Sequence, residues 1–522
     1  MTSTEDTLAP RGSEPGRAES TRIEPGRGEP GSGEPGRAVS GRAEPGLAEP
    51  GRAEPGRAEP GRAEPGRAAV TRDEPDRAEA TGAEATGAES TGAAGVPTVA
   101  DVLSTLIRFD TSTPGGDERP AAEWVAARLA EVGVRAEIFE SEPGRASLVA
   151  RIPGADPLRG ALLMHGHLDV VPADPAEWQV HPFAGEIRDG CVWGRGAVDM
   201  KNAIAMLLTV VAIWHREGYV PPRDVVLAFT ADEEAGGDLG ARYLVDHHRD
   251  LLADCTEAVG EVGGFSVTLP EGGRLYPIQT AEKGALWLRL VADGTPGHGS
   301  LVNPDNAVTR LSGVMNRLGE RRFPAALRPQ TRVLLETLAR LRRGESFDPR
   351  QPERDLAGLG GFGRLLEATL RTTLTPTSLR AGSGANTVPP SAQGTIDVRY
   401  LPGERESALA AVDEILGDDV VREMLLDHVT LDSPYDAALP GAMAAALLAE
   451  DPAGHPVPFT LSGGTDAKSF YRLGELRCYG FSPLRLPAGL DFVAMFHGVN
   501  ERVPVDALEF GVRVLDRFLR SS

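Results

Sequence analysis

Five side chains able to ligate a metal, His167, Asp199, Glu234, Glu261 and His497, recur along this chain in an order that two bridged metal ions would need, each at the end of an apolar run. Two cations sharing a carboxylate can hold a water, lower its pKa and polarise a scissile carbonyl, so the set points to dinuclear metallohydrolase chemistry. The stretch ALLMHGHLDVVP (161–172) reads as a buried strand ending in His-Leu-Asp, and strand alternation puts His167 and Asp169 on one side. A metal-bound imidazole usually gives its second N–H to a carboxylate, so Asp169 is placed to orient the His167 ring. A solvated loop histidine is the alternative reading of that triplet alone.

In CVWGRGAVDMKNAIAMLL (191–208), Asp199 follows a Gly-rich turn and precedes an apolar helical run, as a ligand or as a helix N-cap would. VVLAFTADEEAGGDLGA (225–241) is a strand whose end carries three consecutive acids, which repel one another unless a cation or a solvated turn relieves them. TEAVGEVGGF (256–265) repeats the device with Glu261, and FHGVNERV (496–503) supplies His497.

Taken together, GHLDVVP, GRGAVDMK, TADEEAGG, GEVGG and FHGVNERV occur in the order and approximate spacing of the M20 metallopeptidases, and the chain resembles that family of aminoacylases, carboxypeptidases and dipeptidases. The resemblance implies that Asp199 bridges two metals, with His167 and Glu261 completing one and Glu234 and His497 the other. It implies that Glu233 is the general base, taking a proton from water and handing it to the leaving amine. Were Glu233 and Glu234 both ligands, that proton task would be unfilled. The family assigns no metal to His165, which shares a strand face with His167, so packing is its expected role.

The same resemblance gives roles to His298 in GTPGHGS, Asn386 in GANTVPP and Arg399 in IDVRYLPG. It implies that His298 reaches a partner subunit's site and stabilises an oxyanion, that Arg399 grips a substrate carboxylate through its planar fork, and that Asn386 joins them in substrate binding. In LSGGTDAKSF (461–470), backbone N–H groups around Gly464 and Thr465 form either an anion nest or a tight turn. Trp178 and Phe183 either line the site or pack its wall.

The elements that must position these groups read as α/β architecture. VADVLSTLIRF (99–109) and AAEWVAARLAEVG (121–133) carry helical apolar spacing, and strands near 146–152, 161–165, 225–230 and 257–261 read as buried and parallel. The early ligand candidates then lie past strand C-termini, where open α/β sheets place their sites. Between 279 and 433 the order becomes strand, helix, two strands, helix, strand, with the last strand expected at HVTLDSP. That order suggests an inserted ferredoxin-like α+β domain, which in the family is a lid and dimerisation domain. The segment 320–372, with VLLETLARLRR, is longer than such a domain needs, and a helical excursion is expected there. The expected division is a tail at 1–96, a catalytic domain at 97–278 and 434–522, and the lid at 279–433.

The tail is of another kind. From Gly36 to Arg67 it repeats Gly-Arg-Ala-Glu-Pro with a five-residue period, and with almost nothing apolar to bury it is expected to be disordered. Across the whole chain, 76 acids against 54 bases give a net charge of −22, which disfavours nucleic acid or an anionic membrane as partners. Cys191, Cys255 and Cys478 form no metal-ligand spacing or disulfide framework, as in a reducing cytosol. No apolar leader precedes the tail, and the run AIAMLLTVVAIW (203–214) is too short to span a bilayer.

The expectation is a cytoplasmic two-metal amidohydrolase, homodimeric through its lid, cleaving an amide beside a free carboxylate in a small peptide or N-acyl amino acid. Zinc is the first choice for a His/carboxylate set, with cobalt or manganese able to use the same ligands. The alternatives are an ester or carbamoyl-amide hydrolase on the same scaffold, or a non-catalytic metal-containing protein that binds through its tail.

Overall fold

The computed structural model describes residues 97–474 and 476–522. The repeat tail and the disorder expected of it lie outside the described residues. The first helix, Val99–Ile107, is set by a capping box in which the Thr98 hydroxyl accepts the Asp101 N–H and the Asp101 carboxylate accepts the Thr98 N–H. The apolar run at 203–214 lies within helix Lys201–Glu217, which buries most of its length and ends at Gly218 in the left-handed conformation that glycine adopts at no steric cost.

These helices pack on a ten-stranded sheet. Its centre is parallel: strand Ala161–His167 lies between Val225–Thr230 and Cys255–Gly260, and Arg477–Gly480 extends the parallel set. All six residues of Val225–Thr230 are buried, as are all seven of Ala161–His167, because helices cover both faces. Strand Arg145–Ile152 departs from the sequence expectation, since it pairs antiparallel with Val225–Thr230. It is the second arm of a hairpin with Ala136–Glu142 that turns at Pro143-Gly144, so its direction is set by that turn and by its place toward the sheet margin.

A second, four-stranded antiparallel sheet has the order Thr373–Ala381, Ser391–Tyr400, Gly284–Asp293, Val420–His428. Helices Ala307–Glu320 and Arg405–Leu416 cover it, and Leu286, Leu288, Leu290, Leu311, Val398 and Val412 form a core distinct from that of the large sheet. Its last strand ends at His428, the first residue of HVTLDSP. Leu431–Asp432 instead pairs with Glu282 and Ala281 in the large sheet. Residues 420–428 escaped notice because their alternation mixes apolar and charged groups on both faces.

The excursion after the first of these helices forms Pro329–Arg343 and Gly360–Thr369. Leu334, Leu335, Leu338, Phe362 and Leu366 join the core of the large sheet rather than that of the small one. No helix among the described residues is long and apolar enough to cross a membrane.

Candidate active site

Three parallel strands deliver the site to one edge of the sheet. His167 is the last residue of its strand and pairs in register with Thr230, after which the chain turns through Asp232 (φ 69°) into Glu233 and Glu234. Glu261 follows the neighbouring strand Cys255–Gly260. Asp199 precedes helix Lys201–Glu217, but Met200 occupies the cap position without a side-chain cap bond, so the carboxylate of Asp199 is free for another task. His497 sits at φ 57°, in the left-handed region that non-glycine residues enter rarely.

The two oxygens of Asp199 face separate partners. Oδ1 lies 3.2 Å from His167 Nε2, which also lies 3.2 Å from Glu261 Oε2. Oδ2 lies 3.3 Å from His497 Nε2, which also lies 3.0 Å from Glu234 Oε2. Two histidine–glutamate pairs therefore meet at one aspartate. Ligand atoms of His167, Asp199 and Glu234 cluster closely enough to share a cation, and so do those of His167, Glu233 and Glu261.

Electrostatics follow from crowding acids in a buried space. Burial, reinforced by the charge of Glu261, raises the Glu233 carboxyl well above its usual range, and burial pushes Glu261 up to about 8. Burial alone would raise Asp199 too, but hydrogen bonds from His167 and His497 hold it below the ordinary aspartate value. His497 is pushed up to about 10 by its bonds to Asp199 and Glu234. His167 rises despite its burial because Glu261 and Asp199 favour the imidazolium. A cation would relieve this repulsion. Glu234 Oε1 is buried with no hydrogen-bond partner, an orphaned acceptor that a metal would satisfy. The imidazole and carboxylate donors, without cysteine, fit a divalent ion of the zinc, cobalt or manganese kind.

Asp169 acts in a different way from the sequence expectation. The His167 ring is held at Nδ1 by the backbone carbonyl of Asp169, 2.8 Å away, while the Asp169 carboxylate stands at 3.6 Å. That carboxylate instead accepts the N–H groups of Glu233 and Glu234, both at 3.1 Å, so it fixes the acidic turn. His165 is buried, packs with its ring 5.0 Å from that of Phe470, and is driven down to about 3 by burial.

A cavity of about 540 Å³ opens over the cluster, and Arg399, Gly464 and Thr465 line it beside Glu233. The Arg399 fork already holds Asp397, with Nε at 2.7 Å and Nη2 at 3.0 Å from the two carboxylate oxygens. The Thr465 N–H and hydroxyl both donate to Glu282, so the turn is tied down from below rather than left as an open nest. His298 and Asn386 are exposed on the ribbon Gly297–His298 and Thr387–Val388 and do not line this cavity. His298 Nδ1 is bonded to the Ser300 hydroxyl. Trp178 is buried under Arg195, and neither it nor Phe183 lines the cavity.

Sequence reasoning passed over three groups. Glu501 is fully buried, pairs with Arg195 at 3.0 Å, and accepts the N–H groups of Gly196, Val198 and Asp199 at 3.0, 2.7 and 2.9 Å. It lies four residues beyond His497, inside a motif read only for its histidine. Asp466, pushed up to about 7 by burial, accepts the Thr230 hydroxyl beneath the acidic turn. Lys468 lines the cavity and bonds the Lys283 carbonyl at 2.8 Å. A buried lysine and aspartate two residues apart after a Gly-rich turn were the available signal.

The sequence profile of peptidase family M20/M25/M40 matches residues 163–521. Over 451 residues the chain is 27% identical to the N-fatty-acyl-amino acid synthase/hydrolase PM20D1 of Xenopus tropicalis, covering 81% of this chain and 86% of that protein. It is 26% identical over 428 residues to aminoacylase-1A of Rattus norvegicus, covering 79% and 92%. In fold it resembles the M20 metallo-carboxypeptidase Sso-CP2 of Sulfolobus solfataricus, with a TM-score of 0.62 at 19% identity over 80% of this chain and 98% of that one.

Proposed function

The chain belongs to peptidase family M20/M25/M40 and is a hydrolase of amide or peptide bonds, and from that premise we propose that it cleaves an amide beside a free carboxylate, in a dipeptide or an N-acyl amino acid, at a two-metal centre. The observation that carries this reading is the placement of Asp199, whose two oxygens each face a separate histidine–glutamate pair. Relatives named as aminoacylase and as N-fatty-acyl-amino acid hydrolase support the substrate class.

His167, Asp199 and Glu261 would hold one ion and His497, Asp199 and Glu234 the other. When bound, the pair would lower the pKa of a water and polarise the amide carbonyl. Zinc is the first choice for this donor set, with cobalt or manganese as substitutes. Glu233, beside the ligands and backed by Asp169 through its N–H, takes the water's proton and delivers it to the departing amine. Water adds to the carbonyl carbon, the C–N bond breaks, and a carboxylic acid and an amine leave.

Arg399 would grip the substrate's carboxylate, exchanging part of its pairing with Asp397, with Asn386 and the Gly464–Thr465 turn completing the substrate side. Residues 279–433, which carry the small sheet, form a lid between the catalytic segments 97–278 and 434–522. Through it two chains pair, so that His298 serves the partner's site, in keeping with its exposure outside its own cavity. The protein works in the cytoplasm.

The test is a mass-spectrometric screen of the zinc-loaded protein against pooled dipeptides and N-acyl amino acids. Cleavage by the wild type that disappears in Glu233→Gln is the expected result. If both proteins hold two metals and neither cleaves any amide, the reading fails.

A further inference from the structure

A cavity of about 290 Å³ opens where the end of helix Ala307–Glu320, the end of helix Gly360–Thr369 and the start of strand Thr373–Ala381 come together. Four arginines, Arg321, Arg322, Arg364 and Arg371, line it against a single carboxylate, that of Glu367. In a chain whose net charge is −22, such a gathering of one sign runs against the overall balance.

A cation beside a helix end commonly does no more than cap the last carbonyls. Here those carbonyls are already served. Buried Lys283 sends its Nζ to the carbonyls of Ala368 and Arg371, at 3.0 and 2.8 Å, and to the Thr373 hydroxyl oxygen at 3.3 Å. The Ala326 N–H donates to the Leu370 carbonyl at 2.8 Å.

Nor are the guanidiniums spent on acids. In the same excursion Arg342 and Arg343 pair with Glu271 and Asp355. Of the four at the cavity, among the described residues, only Arg371 holds a carboxylate, that of Glu353, and its buried Nε has no hydrogen-bond partner. Arg322 reaches no further than the Gly319 carbonyl, at 3.4 Å. Arg321 lies over the Phe323 ring, 5.5 Å from its centroid, a stacking that holds the guanidinium plane and keeps its N–H edge available.

We propose that this cavity binds a phosphoryl group, as inorganic phosphate or as a small phosphate monoester, gripped by Arg321, Arg322, Arg364 and the Nε of Arg371. Charge and shape set the class. A phosphoryl group carries about −1.5 to −2 at neutral pH and offers three acceptor oxygens, whereas one carboxylate brings a single charge, and planar guanidinium forks match phosphate oxygens in pairs. The Thr373 hydroxyl, accepting from Lys283, keeps its proton to donate. The volume lies near the lower end of ligand sites, about 300–1,000 Å³, which suits a small anion.

Arg321, Arg322 and Thr373 come from the small-sheet layer, and Arg364 from a helix whose Leu366 belongs to the core of the large sheet. A bound phosphoryl group therefore ties the two layers together. Its recognition uses none of the amide chemistry proposed above, so the two readings fail separately.

Calorimetric titration of the full-length, metal-loaded protein with inorganic phosphate, with phenyl phosphate and with succinate, a dicarboxylate of like charge, tests the site. Phosphate or its monoester is expected to bind more tightly than succinate, with an affinity that falls as salt is raised, and the tighter of the two names the source. Arg322→Gln and Arg364→Gln alter exposed side chains and should match the wild type in metal content and in Tm without phosphate. Each is expected to weaken binding by about tenfold, the effect of losing a hydrogen bond to a charged group, and to abolish the rise in Tm that phosphate gives the wild type. Arg135→Gln, exposed and outside the cavity, changes neither.

The same titrations on metal-free protein separate this cavity from the reaction centre, where metals also attract phosphate. Binding that persists without metal and weakens in both arginine variants supports the proposal. Binding that vanishes with the metals and ignores both substitutions assigns the anion to the reaction centre and overturns it. Succinate binding as tightly as phosphate, or no binding of either phosphate probe, overturns it as well.

Discussion

The carboxylate of Glu501 accepts the backbone N–H of Asp199 at 2.9 Å, across 302 positions of sequence, and thereby ties the shared aspartate to the segment that carries His497. The same carboxylate pairs with buried Arg195 and takes two further N–H groups of the Asp199 loop. Its charge is thus divided among four donors, although burial raises it to about 7.

Replacement of Glu501 by Gln removes one acceptor from this set and lets the Asp199 loop shift. Groups that orient metal ligands typically govern affinity by about 10- to 100-fold. Competition with a chromophoric chelator is expected to show weakening of that size at both ions, because Asp199 is shared. Glu501→Ala also strands Arg195 in the interior and costs about 3–5 kcal/mol in urea unfolding. Unchanged metal affinity in Glu501→Gln would remove Glu501 from the positioning role.

Glu233 and His167 are separable by their effects. Glu233→Gln is expected to retain two metals per chain, by elemental analysis, and to lose about 10²–10⁴ in kcat, the contribution of a positioned acid–base group. His167→Ala is expected to lose metal as well as rate. Because the ligand atoms of Glu233 lie close enough to join His167 and Glu261 around one cation, loss of a metal in Glu233→Gln would make Glu233 a ligand rather than the base.

Metal uptake should release protons. In the metal-free site His497 is held up to about 10 by Asp199 and Glu234, and burial holds Glu261 up to about 8. A cation at neutral pH displaces both protons, so affinity rises with pH. Calorimetry in buffers of different ionisation enthalpy measures the release directly.

The metal-free fold responds in the opposite sense. His497 has a folded pKa above its ordinary 6.5, so its contribution to stability is complete below 6.5 and is lost as pH climbs toward about 10. Glu261 acts in the same direction, holding its proton in the fold between 4.5 and about 8 while the unfolded chain gives it up. Buried Lys201 and Lys283, lowered by burial to about 8 and about 7, contribute in the opposite sense over this range. The test is therefore the Tm difference between metal-free wild type and His497→Ala, which shrinks between pH 6.5 and 10; a difference that grows there would contradict the His497 assignment.

His298 is exposed and remote from its own chain's cavity. If it serves a partner, His298→Ala and Glu233→Gln are each inactive alone and regain activity when unfolded and refolded together, since a mixed dimer holds one intact site. A mixture as inactive as its parents, with mixed dimers confirmed by mass, would confine His298 to a local role.

Much of the site was legible because it is written locally. A buried apolar strand that leads into an acid or histidine needs only strand geometry to place that side chain at the sheet edge, and His167, Glu233, Glu234 and Glu261 all obey that rule. The helical spacing at 99–109 and 121–133 likewise fixed elements found at Val99–Ile107 and Arg119–Glu131, because amphipathic periodicity survives any packing partner. The strand at 420–428 was hidden because its alternation carries no clean apolar face, and the direction of Arg145–Ile152 was hidden because direction depends on a turn.

Sequence by itself thus determined which acids and histidines stand at the strand ends, the adjacency of Glu233 and Glu234, and the α/β scaffold, all of which depend on neighbours a few residues away. Only the tertiary structure decided which histidine faces which oxygen of Asp199, that Asp169 holds the acidic turn by its carboxylate and the His167 ring by its carbonyl, and that Glu501 anchors the shared aspartate. It also decided that helix Gly360–Thr369 comes to lie against the loop before His497, with Gly361 donating to Asp491 across 130 residues. Such relationships arise when packing closes long loops of chain, and no local periodicity encodes which distant segments will meet.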